Sequence, residues 1–206
     1  MKLVKFTDQL IKNNYMMKKL LSILVITLLS TPVFAQSVWK SDPMHSKLTF
    51  TTTHLGISDV AGLFNNFEST VTSNKADFSD AVFELSVDVA SIDTEVEMRD
   101  NHLKNADFFD MEKFPKMTFK SYAIESTGID RYKLTGNLTL HGITMPVTMD
   151  LWFRGTIENP QSKIPTSGFQ LTGVLKRSDF NIGEKFPAPM LSDEVIIKAD
   201  GEFVKQ

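Results

Sequence analysis

The sequence predicts an all-β fold of about eight antiparallel strands. Most of the chain alternates apolar and polar residues with a period of two, the pattern of strands that bury one face. Glycine or asparagine lies near many of the breaks between alternating segments. One segment, near residues 95–112, departs from the pattern and is polar and helix-prone. We therefore expect a β-sheet domain with one short helical insertion.

Each alternating segment predicts one strand. In the first of them Leu48, Phe50, Thr52 and His54 share a face, and threonines occupy the other. The segments span residues 48–54, 63–71, 81–89, 117–121, 132–140, 147–153, 169–175 and 195–203. One-sided alternation in sequential strands is typical of an antiparallel sheet that is closed into a barrel or folded into a sandwich.

The predicted interior is unusually rich in phenylalanine and contains glycines. A barrel of about eight strands has room inside for side chains or for one small ligand. Gly136, Gly173 and Gly201 fall on inward-facing positions, where glycine either leaves space or lets a strand bend at a corner. The chain has 16 Phe against 3 Tyr and 2 Trp. Because phenylalanine carries no polar group, such an interior can be dry along its length.

The insertion near residues 95–112 predicts a short helix followed by an aromatic cluster. Val96 and Leu103 recur at helical spacing among charged residues. Phe108 and Phe109 follow them, before a proline ends the segment. A helix with aromatic side chains between two strands can close a barrel end or act as a lid. The predicted lid residues are Leu103, Phe108 and Phe109.

Residues 1–35 predict a secretory signal peptide. Lys18 and Lys19 precede an apolar run at residues 20–30, and small side chains lead up to a cleavage site after Ala35. The run is shorter than the ~20 apolar residues that a membrane-spanning helix needs. We therefore expect export to the periplasm, or secretion, without stable membrane anchoring.

Cleavage would leave a single domain of residues 36–206. Met16 or Met17 would be a more ordinary start for the signal peptide. Five lysines and one aspartate precede residue 36, so the 22 basic and 25 acidic residues fall to 17 and 24, a formal charge of −7. An acidic surface without basic clusters disfavours nucleic acid as a partner. The chain has no cysteine, which excludes a disulfide framework, thiol chemistry and lipidation after export.

Five short blocks carry a family resemblance, which extends from about Trp39 to Phe203. They read RDNHLKNADFFDMEKFPKMTF (99–119), DPMHSKLTF (42–50), HLGISDVAGLF (54–64), LTLHGITMPV (138–147) and RSDFNIG (177–183). In their order and spacing along the chain they resemble the YceI-like family of exported polyisoprenoid-binding proteins. The resemblance implies a lipocalin-like antiparallel β-barrel that holds a long isoprenoid lipid in an apolar tunnel. It also implies a homodimer, which the residues themselves do not show.

Combined with the alternation, the resemblance predicts the side chains that line the tunnel. His54 is the most distinctive of them, because a histidine at the rim of an apolar cavity could hydrogen-bond a lipid headgroup or a loop backbone. The predicted tunnel-lining residues are Phe50, Thr52, His54, Phe67, Phe83, Leu85, Val87, Phe119, Leu138, Leu140, Phe153, Phe169 and Leu171.

The predicted function is binding rather than catalysis. We expect an exported carrier of a long-chain amphiphile, either an isoprenoid quinone or a polyprenyl precursor, with no catalytic residue, metal or cofactor. Fatty acids or fatty amides are an alternative cargo. The alternative from another class is a small periplasmic metal-dependent enzyme, because ligands from different strands can form a distributed site. The four histidines form neither an HExxH nor an HxH pair, however.

Overall fold

The computed structural model describes residues 13–19, which are helical, and residues 36–206. The predicted signal peptide lies outside the described residues apart from that helical stretch, and its cleavage remains a prediction. Residues 36–206 form one compact unit. Within the two described stretches, no helix combines the length and apolar character that crossing a membrane requires.

Strands make up most of the unit at residues 36–206, together with one short α-helix and two single-turn 3-10 helices. The helix α1 spans Glu97–Lys104. The strands are β1 Ser37–His54, β2 Ser58–Phe64, β3 Phe67–Ser73, β4 Val82–Asp88, β5 Ile92–Asp93, β6 Lys116–Gly128, β7 Arg131–Leu140, β8 Ile143–Glu158, β9 Pro165–Lys176 and β10 Leu191–Lys205.

The sheet closes into an antiparallel barrel, because β10 pairs with β1 as well as with β9. Eight of the ten strands, β1, β3, β4, β6, β7, β8, β9 and β10, form the closed ring in that order. The remaining two strands, β2 and β5, add to the sheet without closing the ring. β2 precedes β3 across Asn65 and Asn66 and pairs with the second half of β1, and β5 follows β4 and pairs with β2. The predicted all-β, lipocalin-like barrel of about eight strands is confirmed.

The helical insertion is confirmed but is shorter than the segment around it. Only α1 is helical within residues 95–112, and turns follow it. Thr94, just before the helix, accepts a hydrogen bond at Oγ1 from Arg99 Nε (2.7 Å) and donates its backbone N–H to Asp100 Oδ1 (2.8 Å). These bonds fix the start of the insertion. The aromatic residues that follow Lys104 lie in turns, so the helix ends before the aromatic cluster begins.

The interior divides into two clusters along the barrel axis. The packed half contains Trp39, Val71, Phe78, Ala81, Phe83, Tyr132, Leu134, Leu151, Phe153, Phe169 and Phe203. The lid half contains Leu48, Phe64, Val87, Val89, Ile92, Phe108, Met117, Leu138, Leu140, Phe180 and Ile182. Inward residues of the strands supply most of both clusters, as the period-two alternation predicts, and residues outside the strands, such as Phe78 and Phe108, supply the rest. The lid half holds the candidate site.

Candidate functional site

An apolar cavity of ≈ 160 Å³, which we call the lid chamber, lies beneath α1 and the turns after it. Nearly all of its lining atoms are apolar. Its wall includes Leu48, Phe50, Thr52, Phe64, Leu85, Met117, Phe119, Leu138, Leu140, Val147, Met149, Leu171, Leu175, Leu191, Val195, Ile197 and Ala199, and its roof includes Leu103, Phe108 and Phe109. The apolar walls of this cavity provide few hydrogen-bond partners for water.

A second cavity of ≈ 80 Å³, which we call the inner chamber, adjoins the lid chamber. Ser46, Lys47 and Asp200 contribute polar groups to its wall. Its apolar wall consists of Leu48, Phe67, Phe83, Leu85, Phe119, Leu134, Leu151, Phe169, Leu171, Ala199 and Phe203. The two chambers share lining residues, so together they extend along one interior space.

Several side chains that point into the closed barrel are only partly buried. Phe50, Leu85, Phe119 and Leu171 are half-buried, although all of them line a chamber. In a densely packed core such residues would touch neighbours on every side. Their remaining exposure is therefore exposure to the internal void.

Two glycines make room for aromatic rings in the chamber wall. The ring of Phe50 lies over Gly62 on β2, and the ring of Phe119 lies over Gly136 on β7. A Cβ atom on Gly136 would come within 2.5 Å of Phe119 Cζ, which no side chain could occupy without moving the ring. The inward glycine at position 136 is therefore a site of close packing, and the aromatic ring takes the space that it leaves.

The lid is tied to the loop between β9 and β10. The rings of Phe108 and Phe186 stack with their centroids 5.0 Å apart and their planes at 16°. The backbone N–H of Gly183 donates to Asp107 O (3.0 Å), and Lys185 Nζ donates to Asp107 Oδ1 (2.5 Å). The ammonium of Lys185 holds the pKa of Asp107 below its usual value. We call the Asp107–Lys185 pair the latch.

Arg177 also holds the loop between β9 and β10 in place. The sequence analysis assigned Arg177 no role. Its guanidinium is buried and donates to the backbone oxygens of Ser192, Ile182, Gly183, Phe186 and Leu191, at distances from 2.5 to 3.1 Å. The planar fork of arginine spreads five N–H donors over three nitrogens and can reach these five carbonyls at once, whereas a lysine has only three donors on one nitrogen. The RSDFNIG block was the available signal, but a sequence motif does not show that the partners are backbone atoms.

The structure places most predicted site residues on the chambers. The three predicted lid residues all roof the lid chamber. Phe50, Thr52, Leu138 and Leu140 line the lid chamber, Phe67, Phe83 and Phe169 line the inner chamber, and Leu85, Phe119 and Leu171 line both.

Three predicted tunnel residues do not line either chamber. His54 is exposed at the end of β1, where it pairs with Ser58, because the alternation ends at the hairpin turn. Val87 points inward but is 0% exposed within packed neighbours. Phe153 belongs to the packed half, with its ring centroid 4.9 Å from that of Phe78. The structure thus places these three residues outside the walls of both chambers, and their contact with a ligand stays a prediction.

One group of side chains has the composition of a metal site. Asp42, His45 and Glu202 bring ligand atoms within 4.8 Å of one another, the one such group among the described residues. It includes part of β1 where the register against β10 shifts, and it lines neither chamber. His45 Nδ1 lies 2.8 Å from Asp42 Oδ2, and this hydrogen bond raises the pKa of His45. The sequence did not predict this group, since Glu202 is remote in the chain.

The model of the YceI-like domain matches residues 39–203 of the chain. This protein belongs to the YceI-like family. It is 33% identical to the protein YceI of Salmonella arizonae over 189 residues, which cover 90% of this chain and 98% of that protein. A UPF0312 protein of Pectobacterium atrosepticum is also 33% identical, over 89% of this chain and 96% of its own length. The membership that the five blocks predicted is confirmed.

Solved structures with the same fold are also known. BcnA of Burkholderia cenocepacia is 29% identical with a TM-score of 0.69, over 79% of this chain and 98% of BcnA. The YceI protein of Campylobacter jejuni is 30% identical with a TM-score of 0.68, over 75% and 90% of the respective chains. A polyisoprenoid binding domain of Saccharophagus degradans has a TM-score of 0.62 at 14% identity, over 84% and 99%, a likeness of fold alone.

Proposed function

We propose that this YceI-like protein is an exported carrier that holds the apolar tail of a long isoprenoid amphiphile, an isoprenoid quinone or a polyprenyl precursor, in its two chambers. The observation that carries the proposal is the apolar void inside a closed barrel, roofed by Leu103, Phe108 and Phe109. The fold likeness to a domain described as polyisoprenoid-binding gives further support.

The energetics favour a tail with many carbons. Each buried methylene contributes roughly 0.8 kcal/mol, so about a dozen would contribute about 10 kcal/mol before ordering costs. Polar atoms stand at the edge of the lid chamber, where Thr52 Oγ1 lies 3.0 Å from Ser192 Oγ and the exposed Lys176 contributes to the wall. A headgroup can bind there while its tail lies in the apolar interior.

The proposal includes no catalytic step. None of the four histidines, all of which lie in the described residues, lines either chamber. A fatty acid or fatty amide would bury the same kind of surface and is the alternative cargo. A metal-dependent enzyme is less well supported, because the Asp42, His45 and Glu202 group lies away from the chambers.

Export, release into the periplasm and dimerisation belong to the proposal as expectations from the signal-peptide pattern and the family resemblance. The mature chain should begin at Gln36 and carry no covalent lipid. N-terminal sequencing of the exported protein checks the first point. An exported form that retains Lys18 and Lys19 would contradict it.

The decisive experiment is mass spectrometry of an organic extract of the exported protein, purified without detergent. We expect a stoichiometric isoprenoid in the wild-type extract, and much less in the extract of Leu85→Trp, which places an indole in both chambers. A fatty amide in the extract would support the alternative cargo. A bound metal with no lipid would overturn the proposal in favour of the metal-dependent enzyme.

A further inference from the structure

The two chambers meet at a ring of five side chains, which we call the girdle. Its members line both chambers, and each of them comes from a different strand. They are Leu48 on β1, Leu85 on β4, Phe119 on β6, Leu171 on β9 and Ala199 on β10. Any tail that extends from the lid chamber to the inner chamber must pass through this ring.

The strand register divides the girdle into two arcs. Ala199 pairs with Leu48 on one side and with Leu171 on the other. Leu85 pairs with Phe119. In the closed ring of eight strands β10 and β6 are four positions apart in both directions. The smallest member, Ala199, therefore stands across the lumen from the largest, Phe119.

The position of the Phe119 ring leaves the passage on the Ala199 side. The ring lies against Gly136 on the neighbouring strand β7, as the close approach to a Cβ atom at that position shows. Because Gly136 has no side chain, the ring can lie along the barrel wall instead of across the lumen. Phe119 and Ala199 are both half-buried, as expected for side chains that border open space.

We infer that the tail of the ligand passes between Ala199 and Phe119, so that the girdle selects amphiphiles with a single slender tail long enough to reach the inner chamber. The inference rests on the proposed function and adds to it the route of the tail and the two residues that select for its length and width. A short tail would fill the lid chamber alone, whereas a long polyprenyl tail would also bury its end in the inner chamber. A larger residue at position 199 would close the passage without changing most of the lid chamber.

The test compares a short and a long polyprenol, farnesol and solanesol, on the delipidated protein. Ala199→Leu should weaken solanesol binding to about the affinity of farnesol, a loss of about tenfold or more, and leave farnesol binding nearly unchanged. Ile197→Phe is the matched control. It adds the same number of carbon atoms on the same strand, but Ile197 lines only the lid chamber. This control should weaken the binding of both polyprenols in similar proportion.

A second variant changes the girdle residue across the lumen from Ala199 and only removes atoms. Phe119→Leu should raise the affinity ratio of solanesol to farnesol, and combining it with Ala199→Leu should restore solanesol binding. Thermal melts of each apo variant show whether it is folded. If Ala199→Leu fails to fold, the ratio measured with Phe119→Leu decides the inference.

Two negative results are distinguishable. If the wild type binds both polyprenols and neither girdle variant changes the affinity ratio, the tail does not pass through the girdle and the inference is wrong while the carrier function stands. If the wild type binds neither polyprenol and extracts of the exported protein contain no isoprenoid, the proposed function is wrong and the inference falls with it.

Discussion

The two halves of the barrel are built from the same strands with the same apolar alternation, but they differ in how much space they leave. Aromatic rings fill much of the packed half, which borders only the inner chamber of ≈ 80 Å³, whereas the lid half keeps the lid chamber of ≈ 160 Å³. In the packed half the ring of Phe78 lies within 4.9 Å of both Phe153 and Phe169, measured between centroids. In the lid half the half-buried rings of Phe50 and Phe119 border open space. The difference arises from what closes each end rather than from the strands.

The packed end is closed by a side chain that enters the lumen. Phe78 belongs to the loop between β3 and β4 and is only 2% exposed. The loop is held in place by Tyr132, whose hydroxyl donates to Asp77 O (2.7 Å), and by Asp80, which accepts a hydrogen bond from Ser73 Oγ (2.5 Å). Phe78 has a φ of 58°, which is strained for a bulky residue and persists only where packing over-determines it.

The lid end is closed by side chains that pair with one another. Phe108 stacks on Phe186, and His102 packs edge-on against both rings. These rings therefore pack on one another over the chamber, and of the three only Phe108 also lines it. An end that is plugged from within becomes a core, whereas an end that is roofed from outside can remain a binding site.

The largest expected effect comes from removing the plug. Phe78→Ala should lower the free energy of unfolding by about 3–5 kcal/mol, because it leaves a cavity among buried rings. Phe50→Ala should cost less than about half as much, because Phe50 already borders a void. Urea titrations of the delipidated proteins measure both changes. Equal losses would show that the two halves are packed alike.

The next prediction adds atoms instead of removing them. Val71→Trp should overpack the packed half and cost about 1–3 kcal/mol or more, because Val71 is fully buried and lines neither chamber. Leu85→Trp and Leu138→Trp should cost little in the apo protein but block lipid uptake, because the indole takes the space of the ligand. Thermal melts and uptake assays measure the two effects, with delipidated wild type as the reference, since bound lipid stabilises the fold. Uptake that survives in Leu85→Trp, with a sharp fall in melting temperature, would identify that position as core.

The smallest expected effect concerns the latch. When the lid is closed, Lys185 holds the pKa of Asp107 below its usual value of 3.8. The ion pair of the latch is therefore fully formed above about pH 4, and its stabilisation of the closed lid is lost as the pH falls through the depressed pKa. Bound lipid should therefore dissociate faster in acid, and Asp107→Asn should show the fast rate at neutral pH.

Asp130→Asn is the matched control for the latch, because it removes an exposed carboxylate at the turn between β6 and β7, where asparagine also accepts the positive φ. The rate at which bound lipid dissociates from Asp130→Asn, and the dependence of that rate on pH, should match those of wild type. A wild-type rate in Asp107→Asn would show that the aromatic stack alone holds the lid.

The sequence determined the barrel and much of its wall. Period-two alternation located Phe50, Leu85 and Phe119 on the inward face, because successive side chains of a strand point to opposite sides. The same rule failed for His54, where the strand ends in a turn, and it could not separate Phe153 from Leu171. Alternation reports which face a side chain occupies, not what lies across from it.

Only the tertiary structure decided where the barrel is hollow. The contacts of Phe78 with strands far away in the chain, the five backbone partners of Arg177, and the meeting of Asp107 with Lys185 have no local signature in the sequence. A cavity is the absence of contact between opposite walls. It therefore depends on distances between residues remote in sequence and on the loops that close each end, which a pattern of adjacent residues does not encode.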